Sequence, residues 1–312
     1  MPSDKKTFMK YIFCSLLTGL FIFLSQIGLA QQSQFIEENG GIIHFRVFGD
    51  GVPILIINGG PGMNSDGFSG LAEILGKSYK AIIYDQRGTG RSELPEISSR
   101  SITLDLMVKD IEAIRKELNF KEWIILGHSF GGILASYYTS KHPSRVSGLI
   151  LSSSGGLDMS LFSSLNITGR LTSLQRDSLN YWTRKIQNGD TTYFASLQRG
   201  KYLAPAYLND KSFVPKVAER LTQGNSEINT LVYQDMRRIG YDVTEELKGF
   251  ETPVLIMQGK HDIIPVAISE KAHSVFKHSK LLILPNSSHY GWLEDSLLYF
   301  TEIDSLISLT QS

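Results

Sequence analysis

The 312-residue sequence has a single cysteine, Cys14. One cysteine cannot form an intrachain disulfide, so the fold must rest on its core. Net charge is also lacking. Lys plus Arg equals Asp plus Glu at 31 each, and no basic run is long enough to grip a phosphate backbone. Nucleic acid is therefore excluded as a partner. No paired cysteines and no His-x-x-x-His arrangement occur, so neither a metal nor any other cofactor is implied. Internal repeats and low-complexity stretches are absent. Long apolar runs are missing too, except at the amino terminus.

There, Lys5, Lys6 and Lys10 precede a mostly apolar run from Tyr11 to Leu24, and Gly28-Leu29-Ala30 offers small residues for cleavage before Gln31. This is the pattern of a secretory signal over residues 1–30, with Cys14 as a small apolar residue inside it. The run is shorter than the ~20 residues a spanning helix needs, which leaves an uncleaved membrane anchor as the alternative. The expectation is an exported protein, periplasmic or secreted. A membrane contact would follow only if the segment stays attached.

What remains has an ordinary globular composition, 42% hydrophobic and 20% charged. Short apolar runs alternate with longer helical ones, which predicts an α/β fold with a mostly parallel sheet covered by helices. Strands are predicted at Ile42 to Phe48, Pro53 to Asn58, Lys80 to Asp85, Trp123 to Gly127, Val146 to Ser152, Pro253 to Gln258 and Lys280 to Leu284. Helices are predicted at Leu104 to Leu118, Phe130 to Ser140, Val266 to Phe276 and Trp292 to Leu309. Residues 155–245 break the alternation, with helical patterns at Leu171 to Gln187, Pro215 to Gln223 and Glu227 to Arg238 and no buried strand. They read as an inserted helical cap between a first core part, 31–154, and a second, 246–312.

Three strand ends carry the chemistry. Gly127-His128-Ser129-Phe130-Gly131 lies between an apolar strand and a helix, the pattern of a sharp turn that lifts a serine hydroxyl above the sheet. A serine hydroxyl needs a base within hydrogen-bond reach and a carboxylate to orient that base. Asp262, in Gly259-Lys260-His261-Asp262, and His289, in Ser287-Ser288-His289, each follow a later strand. Both loops are expected to open on the same sheet edge as Ser129. Of the seven histidines, His44, His142, His273 and His278 read as surface or packing residues, and His128 and His261 flank Ser129 and Asp262 too closely to serve. Glu294 is too near His289 in sequence to reach its far nitrogen. Asn58-Gly59-Gly60-Pro61-Gly62 follows another strand, and the amides of Gly60 and Phe130 are the expected donors to an oxyanion. Asp85 and Arg87, in Asp85-Gln86-Arg87-Gly88-Thr89-Gly90-Arg91-Ser92, are expected to brace the loops around the site, since the glycine spacing there does not fit a dinucleotide loop.

Taken in order across residues 40 to 300, these motifs resemble the α/β-hydrolase fold, and specifically the proline iminopeptidases and related serine aminopeptidases. The resemblance implies Ser129 as nucleophile, Asp262 and His289 as its partners, and the Gly-Gly-Pro-Gly loop as oxyanion hole. The sequence departs from that family at Asn58, where His is usual, and at Phe130, where Trp is frequent. Such peptidases hold the substrate amine with cap glutamates, which makes Glu219 and Glu227 the expected amine ligands. The function expected is release of an N-terminal residue from peptides. The alternatives are an esterase or amidase acting on a small neutral molecule, and a ligand-binding homologue without turnover. Epoxide hydrolases and dehalogenases are excluded, because families of that kind place Asp where Ser129 stands.

Overall fold

The computed structural model describes residues 32–38, 40–160, 162 and 165–311. The segment read as a secretory signal lies outside the described residues. The strands are β1 (Gln32–Glu38), β2 (Gly41–Phe48), β3 (Pro53–Ile57), β4 (Lys80–Tyr84), β5 (Trp123–His128), β6 (Val146–Ser152), β7 (Val254–Gly259) and β8 (Ser279–Leu284). The helices are α1 (Ser69–Leu75), α2 (Leu104–Glu117), α3 (Phe130–Lys141), α4 (Ser173–Gln187), α5 (Tyr193–Leu203), α6 (Val214–Arg220), α7 (Ser226–Arg238), α8 (Thr244–Leu247), α9 (Val266–Val275), α10 (Gly291–Glu294) and α11 (Ser296–Thr310).

All eight strands form one sheet in the order β1-β2-β4-β3-β5-β6-β7-β8. β2 pairs antiparallel with both β1 and β4, and the remaining pairings are parallel. β5 and β7 are buried at every position, as central strands covered on both faces must be. That double burial is why they read as continuous apolar runs. The sequence pattern does not predict β1. It is a polar edge strand, QSQFIEE, with Phe35 57% exposed, and pairing with β2 rather than apolar content holds it in the sheet.

Alternate residues of each strand feed two apolar clusters, one on each face. Leu55, Ile57, Ile82, Ile125 and Leu149 join residues of α2 and α3, while Ile54, Ile56, Ile83, Ile124 and Ile150 join residues of α1 and α11. The strand and helix on either side of Ser129 are also clamped by a polar chain. Trp123 of β5 donates to the Tyr138 hydroxyl of α3 (3.2 Å), which donates to Glu112 of α2 (2.5 Å), and Arg115 closes on both oxygens of that carboxylate (2.7 and 2.8 Å).

Burial alone would raise the Glu112 carboxyl, but the hydrogen bonds from Arg115 and Tyr138 prevail and hold it at about 2, below its ordinary 4.5. A depressed carboxylate adds stability that is complete above pH 4.5 and is lost as the pH falls towards 2. Glu112→Gln is therefore expected to cost on the order of 2 kcal/mol at pH 7, with the difference from the parent narrowing steadily below pH 4.5. Urea unfolding midpoints across that range measure it, and a gap independent of pH would contradict the assignment.

Between β6 and β7 the chain builds helices α4 to α7, in the region read as a helical insertion. Its two ends are tied together by an isolated antiparallel bridge between Asp158 and Asp242 and by the amide of Val243 donating to Leu157 (3.0 Å). The sequence pattern does not predict helix α5, because Gly200 interrupts it. A side chain there would run into the Ala218 carbonyl of α6, so glycine is what allows the two helices to touch. The long helix expected at the carboxyl terminus is two, α10 and α11. Asp295 separates them and turns its carboxylate to the amide and side chain of Asn286 (2.7 and 3.0 Å).

Candidate active site

The turn after β5 holds Ser129 at φ 56° and ψ −119°, a backbone region that side-chain-bearing residues rarely enter, at a cost of about 1–3 kcal/mol. Its surroundings impose that geometry. The Ser129 amide donates to Ser152 (3.0 Å), and its carbonyl accepts from Gly132 (2.9 Å) and Gly155 (3.0 Å). Two residues on, a Cβ at Gly131 would sit on the Ile57 carbonyl of β3, so only glycine lets helix α3 start this close to the sheet.

Asp262 and His289 stand in the loops that follow β7 and β8. The structure brings them together: His289 Nδ1 lies 2.7 Å from Asp262 Oδ1, which also accepts from the Ile264 amide (3.1 Å). Both side chains are nearly inaccessible. With Nδ1 engaged by the carboxylate, Nε2 is the nitrogen left to take and return a proton. The two loops are fastened to each other by Lys260 N to Leu284 O, His261 N to Ser287 O and Ser288 Oγ to His261 O (2.9, 2.9 and 2.6 Å). Glu294 does not approach the imidazole; it accepts the Ser288 amide (2.7 Å) and the amides of Asn209 and Asp210 (2.6 and 2.7 Å).

The ring of His128, the residue before Ser129, lies 4.6 Å from the His289 ring, so the turn and the histidine loop meet at one corner. Burial, then the charges of His289 and Arg220, push His128 well below its ordinary range. It stays neutral beside His289. Tyr207, from the insertion, packs 5.5 Å from the His289 ring and accepts the His289 amide (3.0 Å) through its carbonyl.

The loop after β3 closes the other side. A Cβ at Gly59 would stand 2.7 Å from that of Ser129, so the glycine loop runs directly against the serine. Gly60 has φ 72°, and its carbonyl accepts the Met63 amide (2.9 Å). Asn58, where the resembling family has His, donates from Nδ2 to the carbonyls of Gly59 and Met63 (3.1 and 3.0 Å). Phe130 is the first residue of α3, and its amide has no acceptor within the helix. Asp85 accepts from the Ser65 amide and hydroxyl and the Arg91 amide (2.8, 2.7 and 3.0 Å), and Arg87 forks onto Asp110 (2.8 and 2.7 Å), so both residues brace the surrounding loops.

Both expected amine ligands are solvent-exposed. Glu219 is exposed and accepts the hydroxyl of Tyr193 on the surface of the insertion, and Glu227 is exposed in the first turn of α7. The charged side chain that the insertion does bury here is Arg220, 7% exposed, which sequence motifs do not single out. Adjacent residues on a helix point about 100° apart, so when Glu219 faces solvent its neighbour is free to face the core. Its one sequence signal is a place beside Leu221, Val217 and Ala218, all buried.

A strained serine turn, a carboxylate-bound histidine and a glycine loop at the carboxyl ends of a parallel sheet define the class. The chain belongs to the alpha/beta hydrolase fold family, whose model matches residues 52–296, and it is a hydrolase of that family. Among its relatives, the proline iminopeptidase of Saccharolobus solfataricus is 29% identical over 279 residues, 86% of this chain and 88% of that one. That of Heyndrickxia coagulans is 28% identical over 285 residues, 88% and 98% of the respective chains. A solved proline iminopeptidase from Mycobacterium smegmatis superposes with a TM-score of 0.68 at 22% identity, covering 89% of this chain and 98% of that one.

Proposed function

We propose that this protein is a serine hydrolase working through an acyl-enzyme, with Ser129 as nucleophile, His289 as general base and then acid, and Asp262 as the group that orients and steadies the imidazole. The observation that carries this reading is the 2.7 Å bond between His289 and Asp262 at the corner where the Ser129 turn ends. As Ser129 Oγ attacks the substrate carbonyl, His289 Nε2 takes the hydroxyl proton and Asp262 stabilises the resulting imidazolium. The carbonyl oxygen becomes an anion facing the Gly60 and Phe130 amides. Collapse expels the leaving amine or alcohol, which takes the proton from His289. Water then repeats the sequence on the acyl-serine and frees the acid.

For the substrate, we read an aminopeptidase of the proline iminopeptidase type, which releases an N-terminal residue from peptides. The names of its relatives, at 28–29% identity over 86–88% of the chain, support this reading. A carboxylesterase or amidase acting on a small neutral substrate is the second reading. The exposure of Glu219 and Glu227 and the buried cation at Arg220 favour it, since neither feature rewards a positively charged amine. Export, argued from Lys5, Lys6, Lys10 and the apolar run after them, is part of the same proposal.

Substrate pairs separate the two readings. The aminopeptidase reading predicts that prolyl or alanyl arylamides are cleaved and that N-acetylation lowers kcat/KM by about 10-fold or more, the worth of a charge-assisted hydrogen bond. Equal turnover of the free and acetylated arylamides, with short acyl nitrophenyl esters faster than both, would transfer the assignment to the esterase reading.

A further inference from the structure

Arg220 is a buried cation that pairs with no carboxylate among the described residues. Its guanidinium partners there are the Gly59 carbonyl (Nη2, 2.9 Å), the Met63 sulfur (Nη1, 3.1 Å) and the Tyr290 hydroxyl (Nη1, 3.4 Å), and its Nε is buried without a hydrogen-bond partner. Its charge rests on aromatic faces, with Cζ 5.0 Å from the Phe68 ring and 5.9 Å from that of Tyr290. Such contacts offset part of the cost of burying a charge, but an acidic partner would offset far more. The question is what a lone cation does at this corner.

Its position on the backbone answers this. The Gly59 carbonyl and the Gly60 N–H belong to one peptide unit, and in a planar trans peptide the two point in opposite directions. Fixing the carbonyl therefore aims the N–H. Glycine on both sides makes this plane easy to flip, because neither residue has a side chain to oppose rotation. Two donors hold it: Arg220 and Asn58 Nδ2, 3.1 Å from the same oxygen. We propose that Arg220 is a positioning residue that locks the Gly59–Gly60 peptide with its N–H turned to the oxyanion formed at Ser129. The guanidinium charge also lies behind the peptide dipole, so it strengthens the N–H as a donor when negative charge develops in front of it.

The inference rests on the Gly60 amide being an oxyanion donor, as in the proposed function. It also gives the insertion a structural part in the chemistry. The insertion supports three loops of the site: Arg220 and the Asn225 amide reach the glycine loop (Gly62 O, 2.9 Å), Tyr207 accepts the His289 amide, and Arg170 donates to the carbonyls of His261 and Asp262.

The test compares 4-nitrophenyl butyrate with its thiono analogue, whose sulfur accepts weakly from amide N–H groups. Arg220→Met keeps the apolar stem against Phe68 and removes the charge and donors. It is expected to lower kcat for the oxoester about 10- to 100-fold, with KM within about threefold and the thionoester rate within about threefold. Arg220→Lys, which keeps the charge, is expected to recover part of the oxoester rate. Equal losses on both esters, or a change confined to KM for esters of carboxylate-bearing acids, would overturn the proposal, the latter making Arg220 a substrate-anion ligand. Melting curves of both variants show whether an equal loss comes from unfolding, and Arg220→Lys, if folded, then decides by the same ratio. Ser129→Ala in the same panel keeps the two readings apart: if it turns over esters, the serine mechanism fails and this proposal fails with it, whereas an inactive Ser129→Ala beside an unchanged oxo-to-thiono ratio overturns only the role of Arg220.

Discussion

Ser129→Ala is expected to lower kcat by about 10⁶-fold, with little change in the melting curve. In the proposed mechanism the size of the loss follows from Ser129 Oγ being the atom that bonds to the acyl carbon: without it, His289 and Asp262 have no proton transfer to assist. Stability is spared because alanine removes only the hydroxyl. The backbone hydrogen bonds that hold φ at 56°, from Ser129 N to Ser152 and from Gly132 and Gly155 to the Ser129 carbonyl, do not involve the side chain. Titration of active sites by the burst of nitrophenol from the parent, absent in the variant, measures the effect without knowledge of the natural substrate. A tenfold loss or less would mean that another residue forms the acyl-enzyme.

Asp262→Asn is expected to lower kcat by about 10⁴-fold while leaving KM within a fewfold range. Oδ1 of Asp262 accepts two donors, the Ile264 amide and His289 Nδ1. An asparagine can present one oxygen to that pair, but it then turns an NH₂ into the place of Oδ2, which is buried and has no protein partner among the described residues. Turning the amide the other way sets NH₂ against Nδ1 and forces the imidazole into the tautomer that cannot accept the serine proton. In either orientation the negative charge that the proposed mechanism uses to steady the imidazolium is gone. The kinetics of Asp262→Asn on the nitrophenyl esters, with a melting curve beside them, check this; a loss of less than about 100-fold would mean that the carboxylate is not the partner of the base.

How much of this is legible in the sequence depends on whether a residue is defined by its neighbours along the chain or by something folded over it. Ser129 and Asp262 follow strands buried at every position, His289 follows the half-exposed edge strand β8, and the right-handed crossovers of a parallel sheet carry such strand ends to one edge. The bond between His289 and Asp262 is the direct result. The insertion is legible as an interruption but not in its contacts. Family resemblance points to Glu219, and the residue that reaches the glycine loop is Arg220, one step further round the helix. No periodicity within a seven-residue helix distinguishes a buried cation from a solvated one. Helix α5 leaves no clear pattern because its Gly200 answers to the Ala218 carbonyl of another helix, and β1 leaves none because an edge strand needs no apolar run.

The central claim is that the Ser129 hydroxyl is activated by its neighbours, and covalent labelling tests it most directly. Treatment with a fluorophosphonate followed by peptide mass mapping is expected to find one adduct per chain, on the tryptic peptide Glu122 to Lys141 that contains Ser129, and to find none after His289→Ala. An adduct on another residue, or an unlabelled Ser129 in a preparation that still hydrolyses nitrophenyl esters, would contradict the account.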